Sequence, residues 1–307
     1  MSPLLRQRGA VLLVALLIVA LAAAGASALL QQQDLAVRQL ETSRDFEQAQ
    51  WILKGGVQWA RSILAQDARA STVDHAEELW ATGLPSAEIE QGTVSGDISD
   101  QQGLFNLNNL VRDGKPSGPD IAMLKRLLRA VDLRAELADA IADWIDADRE
   151  TLAPGGAEDD FYLGLPVPYR TANRPLAEMG ELLRVRGCDE AAVARLRRVA
   201  TVLPRRTPIN VNFAALEVLV ALVDGLTLSE ALVLTRGRST APIRDRQDFR
   251  ARLPRRDLQV DEEAYSVDSQ FFLVQGRAKT GKADVRMESL LQREKGSLPV
   301  VVWQRML

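Results

Sequence analysis

From Ala10 to Leu30 the chain runs 21 residues without a charged side chain. At about 1.5 Å per residue, a helix of that length reaches roughly 31 Å, enough to cross the hydrocarbon core of a bilayer. Arg6 and Arg8 stand just before it, and the positive-inside rule keeps such an arm cytoplasmic while the rest crosses. The helical pattern does not stop at Leu30. Phe46, Ala49, Leu53, Val57, Ala60 and Leu64 follow at three- and four-residue spacing, the stripe of an amphipathic helix. A helix that leaves a membrane and carries on as a stalk has one apolar side to bury, and the rest of the chain must cover it.

On residues alone, two processing sites stay open. "ASA" at Ala26 to Ala28 fits the small-residue pattern of signal cleavage, whereas Gly9 marks the border between the basic arm and the apolar run, where a cytoplasmic-side peptidase could cut. A chain of 307 residues with 47% hydrophobic and 26% charged residues builds a sizeable core and excludes wholesale disorder. Its single cysteine, Cys188, rules out an intramolecular disulfide. Its single histidine, His75, lies in a polar stretch, reads as solvated, and leaves little room for zinc sites or a Ser-His-Asp apparatus. A net charge of −3 provides no global attraction for nucleic acid.

After the stalk, "IEQGTVSGDISDQQGLFNLNNL" alternates and is punctuated by glycine, which predicts a strand and an extended turn. From Ser117 to about Leu253 the chain reads as helical. Ile121, Leu124, Leu128 and Val131 share one face; so do Leu133, Leu137, Ile141 and Trp144, and then Val193, Leu196, Val199 and Leu203. The final 43 residues switch to strand-like runs separated by "KTG" and "EKGS", an antiparallel meander. Setting these strands beside the early one makes the helical block an insertion into an α+β unit.

"RQRGAVLLVALLIVALA" resembles the leader of type IV pilin-like subunits, which a prepilin peptidase cuts after the glycine and methylates at the new N-terminus. The resemblance implies cleavage between Gly9 and Ala10. Pilin-like subunits usually carry glutamate at mature position five, where this chain has Val14. A charge in the apolar zone is costly unless a neighbour pairs with it, so a subunit lacking it is expected at an end of the filament. The whole chain, leader to terminal strands, is similar to the minor pseudopilin K family of type II secretion systems. That resemblance implies a pilin-like long N-terminal helix on a small antiparallel sheet with a large all-α insertion of helix-hairpin-helix or SAM-like kind. The expected division is leader 1–9, transmembrane helix 10–30, first pilin-like part 31–110, inserted helical domain 111–260 and terminal strands 261–307. It further implies a non-enzymatic tip subunit, single-pass in the inner membrane with its bulk in the periplasm. Its partners would be minor pseudopilins I and J, the prepilin peptidase and secreted cargo, with no nucleic acid.

Three motifs carry chemistry of their own. "PINVNFAALEVLVAL" offers Asn212 as an N-cap before Leu216, Leu219, Val220 and Val223, and Thr227 and Glu230 stand at capping-box spacing. With a tight turn at Asp224-Gly225 between them, the two segments resemble a helix-hairpin-helix unit. Eight arginines against three aspartates between Leu234 and Asp257 would suit phosphates, so a membrane-tethered DNA-binding protein is the alternative function. The hairpin has one glycine where DNA-binding versions usually have two, which favours a packing unit. "GRAKTGKA" nearly spells a P-loop, but Ala283 replaces the Ser or Thr that would hold magnesium, and a strand follows it, so it reads as a hairpin turn.

Between Asp132 and Asp160 lie ten acidic residues against two arginines. Asp146 and Asp148 leave the end of a helix, and Glu158, Asp159 and Asp160 return after "APGG", a turn that doubles the chain back. Carboxylates gathered without basic partners repel unless a cation sits among them, and an all-oxygen set selects Ca²⁺. The family resemblance implies calcium here as well. The loop is no EF-hand, because Thr151 stands where that loop needs glycine. The same carboxylates, with Trp144, Phe161, Tyr162 and Tyr169 nearby, leave a secreted calcium-dependent hydrolase as a third reading.

Overall fold

The computed structural model describes residues 4–90, 92–294 and 296–307. Helix α1 spans Leu4–Ala70, 67 residues, or roughly 100 Å at 1.5 Å per residue. From Ala10 onward its membrane-length stretch is exposed along its whole circumference, as with Leu12 at 64% and Leu21 at 64%. Burial starts at Ala49 and then takes Leu53, Val57, Ala60 and Leu64, the expected stripe. Phe46 is 44% exposed and does not join it.

The strands are β1 (Leu84–Ile89), β2 (Gly92–Asp100), β3 (Phe105–Asn106), β4 (Val111–Arg112), β5 (Lys115–Pro116), β6 (Ala200–Thr201), β7 (Ile209–Asn210), β8 (Tyr265–Ser266), β9 (Phe271–Thr280), β10 (Ala283–Gln292) and β11 (Val300–Met306). Five of them form one antiparallel sheet in the order β1-β2-β9-β10-β11. Strand β1 was not expected from the sequence; "LPSAEI" has neither alternation nor β-branched weight before Ile89. The face of the sheet bearing Phe272, Val274, Val285, Met287 and Leu291 packs on the α1 stripe, together with Trp80. Gly276 lies opposite Gly96, and a β-carbon at Gly276 would meet Leu53 Cδ2 at 2.8 Å, so a side chain there would force Leu53 of the stripe to turn aside. The P-loop-like stretch is the β9–β10 hairpin. Asp45 of α1 clasps it, its carboxylate accepting Lys282 N–H at 3.0 Å and its carbonyl accepting the Thr280 hydroxyl at 2.6 Å.

Between β2 and β9 the chain builds a helical module. It holds α2 (Gly118–Ala130), α3 (Leu137–Ile145), α4 (Asp159–Leu163), α5 (Glu190–Leu196), α6 (Leu216–Leu222), α7 (Leu228–Thr240) and α8 (Arg246–Arg252). One core runs through it from Phe105 to Tyr265, with Leu124, Leu127, Leu128, Ile141, Leu196, Leu219 and Phe249 among its buried members. The parallel bridges β3–β6 and β7–β8 each end in an asparagine turn. Asn106 Oδ1 accepts Asn108 N–H and Asn210 Oδ1 accepts Asn212 N–H, which is the physical content of the similar strings "FNLNN" and "INVNF". Asn212 is therefore not the expected N-cap. Its amide is buried and exchanges two hydrogen bonds with the Ile243 backbone, and α6 starts three residues later from Ala215 without a side-chain cap. The capping box at Thr227 and Glu230 is formed. Thr227→Ala is expected to lower stability by about 1 kcal/mol in urea titration, and an unchanged midpoint would show that α7 does not depend on it.

Candidate metal centre

Helix α3 is buried at all nine positions, including Asp139 and Asp143. Its apolar residues explain the helix; its two aspartates need partners. Lys125 Nζ lies 2.7 Å from Asp139. Asp143 has no basic partner among the described residues. One turn on, at i+3 and so on the same face, Asp146 caps the C-terminus of α3. The chain then doubles back, and Glu158, the N-cap residue of α4, brings its carboxylate to the same point. One oxygen from each of Asp143, Asp146 and Glu158 lies within 4.8 Å of the others, and all three residues are buried.

The "GG" of the loop is required sterically. A β-carbon on Gly156 would collide with the Asp143 carboxylate and the Leu152 carbonyl, and one on Gly155 with the Glu136 backbone. Asp143 accepts the Leu152 N–H at 3.2 Å, which pins the start of the loop to the helix. Both oxygens of Asp146 and Oε1 of Glu158 are buried without a hydrogen-bond partner. Unpartnered buried carboxylate oxygens are costly, and a bound cation would neutralise these three where they converge. Burial first, then the neighbouring carboxylates, pushes the Asp143 and Asp146 pKa values up to about 7, and burial raises that of Glu158.

The five carboxylates expected from the sequence thus separate. Asp146 and Glu158 converge. Asp148 is half-buried and accepts Glu150 N–H at 2.8 Å, yet stays close enough for its charge to raise the Asp146 pKa. Asp159 turns to Thr171, accepting its N–H at 3.1 Å and its hydroxyl at 3.0 Å, while Asp160 is exposed. Asp143 completes the converging set and was missed. Its sign in the sequence is the i, i+3 spacing with Asp146 inside a helix that is otherwise entirely apolar after Asp139.

A second acidic group provides the contrast. Asp67, Asp74 and Glu78 also bring oxygens within 4.8 Å of one another, but there Arg293 supplies the cation, bonding Asp67 at 2.9 Å and Asp74 at 2.5 Å. Glu78 accepts His75 N–H and Trp80 Nε1–H, and burial pushes its pKa up to about 7.

The basic segment of the hairpin unit is largely committed internally. Arg238, Arg246, Arg250, Arg252 and Arg255 bond Val211 O, Tyr265 O, Glu262, Asp248 and Glu230 respectively. The hairpin amide of Asp224 donates to Gln259 O instead of facing outward. Trp144, Tyr162 and Tyr169 pack edge-on and tilted against one another at centroid distances of 5.2–6.1 Å, a packed cluster above the carboxylates.

A membrane-length helix laid on an antiparallel sheet, with a helical module inserted between the second and third strands along the chain's sheet, defines a pilin-like α+β subunit. Two family profiles described as type II secretion system protein K match residues 103–205 and 209–268. Type II secretion system protein K of Pseudomonas aeruginosa is 32% identical, covering 94% of this chain and 90% of its own length. The Pectobacterium carotovorum protein of the same name is 31% identical, with coverage of 96% and 95%. A solved chain from the GspK-GspI-GspJ complex of the enterotoxigenic Escherichia coli type 2 secretion system superposes with a TM-score of 0.72 at 27% identity, covering 87% of this chain and 99% of that one. The chain belongs to the protein K family of type II secretion systems, the minor pseudopilins of K type.

Proposed function

We propose that this chain is the non-enzymatic subunit at the tip of the pseudopilus, joined to minor pseudopilins I and J and held before assembly in the inner membrane with its bulk in the periplasm. The observation that carries the reading is where the helical module sits. It joins the sheet beside Asp67 and Asp74, at the far end of α1 from the membrane-length stretch, so a subunit added above would meet the module instead of a free helix. Val14, where pilin-like subunits usually place glutamate, leaves the chain without the charge that would recruit that next subunit. Trp51, Gly55 and Trp59 follow one another at four-residue spacing on the outer side of α1, the tryptophans 69% and 50% exposed and the glycine open to close approach, a face suited to neighbouring stalk helices. The solved relative is in complex with GspI and GspJ.

Calcium belongs to the same reading. Asp143, Asp146 and Glu158 would hold it, with Asp148 beside them, and the ion's chemistry there is to neutralise buried charge and tie α3 to α4. Burial of these carboxylates beneath their own loop, and of the aromatic rings against each other, supports a structural role over a hydrolytic one. Occupied hairpin amides and paired arginines support packing over DNA contact.

The test is to produce the chain with the prepilin peptidase and with I and J, then read its intact mass and its position in the assembled filament. A mature chain starting at Ala10 and confined to filament ends is expected. A start at Leu29, or copies distributed along the filament, would overturn the reading.

A further inference from the structure

The two chain connections between the sheet and the helical module meet at one joint. Strand β2 ends there at Asp100 as the chain leaves the sheet, and Ser269, two residues before β9, brings it back. Asp74, just past the end of α1, donates its N–H to Val267 O at 2.9 Å. Ser269 is the hub of the joint. Its N–H donates to the Asp74 carboxylate, its carbonyl accepts Arg293, and its hydroxyl accepts Asn210 Nδ2–H of the module at 2.9 Å.

The joint gathers more negative charge than it pairs. Arg293 bonds Asp67 and Asp74, and Glu78 is held by uncharged donors. Asp100 accepts the Gly103 N–H on Oδ1, while its Oδ2 is buried without a hydrogen-bond partner. Facing Asp100 are the Asp74 charge, the Ser269 side chain from the returning segment, and the backbone of Gln102 and Gly103 from its own. Burial, with the Asp74 charge adding to it, pushes the Asp100 pKa up to about 7, and burial raises that of Asp74 against the pull of Arg293. A cavity of about 580 Å³, lined by Ser71, Arg205, Asp268, Ser269, Arg293 and Glu294, brings water to the joint. Neighbouring carboxylates with one buried oxygen unpaired are a place for a single proton.

We propose that Asp100 is a proton-operated latch between the sheet and the helical module. Protonated, its Oδ2 becomes a donor to the Ser269 hydroxyl and locks the joint; ionised, it repels Asp74 and lets the joint open while the sheet and the module each stay folded. Opening returns Asp100 to water and to the ordinary carboxylate range, so the closed joint binds the proton more tightly than the open one. Closure is therefore strongest in acid and weakens as pH rises through about 7. The latch belongs to the fold of the single chain and stands apart from the tip reading.

Hydrogen exchange on the full chain in detergent micelles reads the joint through the amides of Asp74, Ser269, Gln270 and Arg293, each hydrogen-bonded across it. After correction for the intrinsic pH dependence of exchange, their protection is expected to fall about tenfold from pH 6 to pH 8, the change for one proton bound with a pKa of about 7 closed and about 4 open. Amides of α2, inside the module, are expected to keep theirs. Asp100→Asn, uncharged at both pH values, is expected to abolish the fall. Glu78→Gln, which removes the other carboxylate of the joint that titrates near 7, is expected to leave it intact. No fall in the parent, an equal fall in α2, a fall that persists in Asp100→Asn, or one lost in Glu78→Gln overturns the latch. If Asp100→Asn does not fold, Asp74→Asn replaces it. Removing the neighbouring charge is expected to move the fall to lower pH, and an unmoved fall overturns the latch equally.

Discussion

Chelating calcium from the folded protein is expected to lower its thermal midpoint by about 10 °C. An ion held at roughly a thousand times its dissociation constant contributes about 4 kcal/mol, and in a unit of 150–250 residues each kcal/mol moves the midpoint by about 2–4 °C. The same site fixes the sign of the pH response. The folded-state pKa values of Asp143 and Asp146, raised to about 7 by burial and by the neighbouring carboxylates, lie above those of the unfolded chain, so folding favours their protonated forms. In the chelated protein this stabilisation is full below about pH 4 and is lost as pH rises through about 7. Chelated protein is therefore expected to melt higher at pH 5 than at pH 7.5. With calcium the order reverses, because protons compete with the ion for the same oxygens. Asp146→Asn should abolish the calcium response and raise the midpoint of the chelated form at pH 7.5. A chelator without effect, together with an Asn variant that melts like the parent, would exclude a cation among these carboxylates.

Arg293→Met is expected to cost about 3–5 kcal/mol in urea unfolding, since it leaves the buried Asp74 beside the partly buried Asp67 without their cation. The guanidinium also donates to Ser269 O at 2.8 Å, and the Asp74 carboxylate accepts Ser269 N–H at 2.6 Å, so one side chain fastens the end of α1 to the strand returning from the helical module. Adding Asp74→Asn should recover part of the loss by removing one uncompensated charge. Arg305→Met, whose pair with Glu288 is half-exposed on the arginine side, should cost no more than about 1 kcal/mol. Equal losses at the two arginines would show that burial does not set their worth.

Much of this architecture is written in periodicity. The stripe from Ala49 to Leu64 and the terminal meander follow from 3.6- and 2-residue repeats, because one side of each element faces a core and the other does not. Where that asymmetry is missing, the reading weakens. Strand β1 is an edge with mostly exposed side chains and shows no period, and α3 is buried all round, so the apolar face read in it does not single out its aspartates. Asp143 hid inside α3 for that reason, whereas Asp146 and Glu158 announced themselves by flanking a loop. Asn212 was misread because an asparagine before an apolar run is equally suited to capping the helix ahead or clasping a distant backbone, and only the position of Ile243 decides.

The sheet also imposes an order on folding. Strand β2 ends at Asp100 and its neighbour β9 begins at Phe271, so the central ladder joins segments separated by the whole helical module. Closing a disordered loop of that length carries a large entropic cost, and pairing so remote in sequence is slow. The module removes the obstacle if it condenses first: Gln102 Oε1 accepts Gln270 N–H at 2.6 Å and Asn210 N–H donates to Gln102 O at 2.8 Å, so the two ends of the inserted block are delivered side by side. A chain emerging N-terminus first therefore holds its stalk helix uncovered until its last forty residues arrive, and the helical block serves as the template on which the sheet closes.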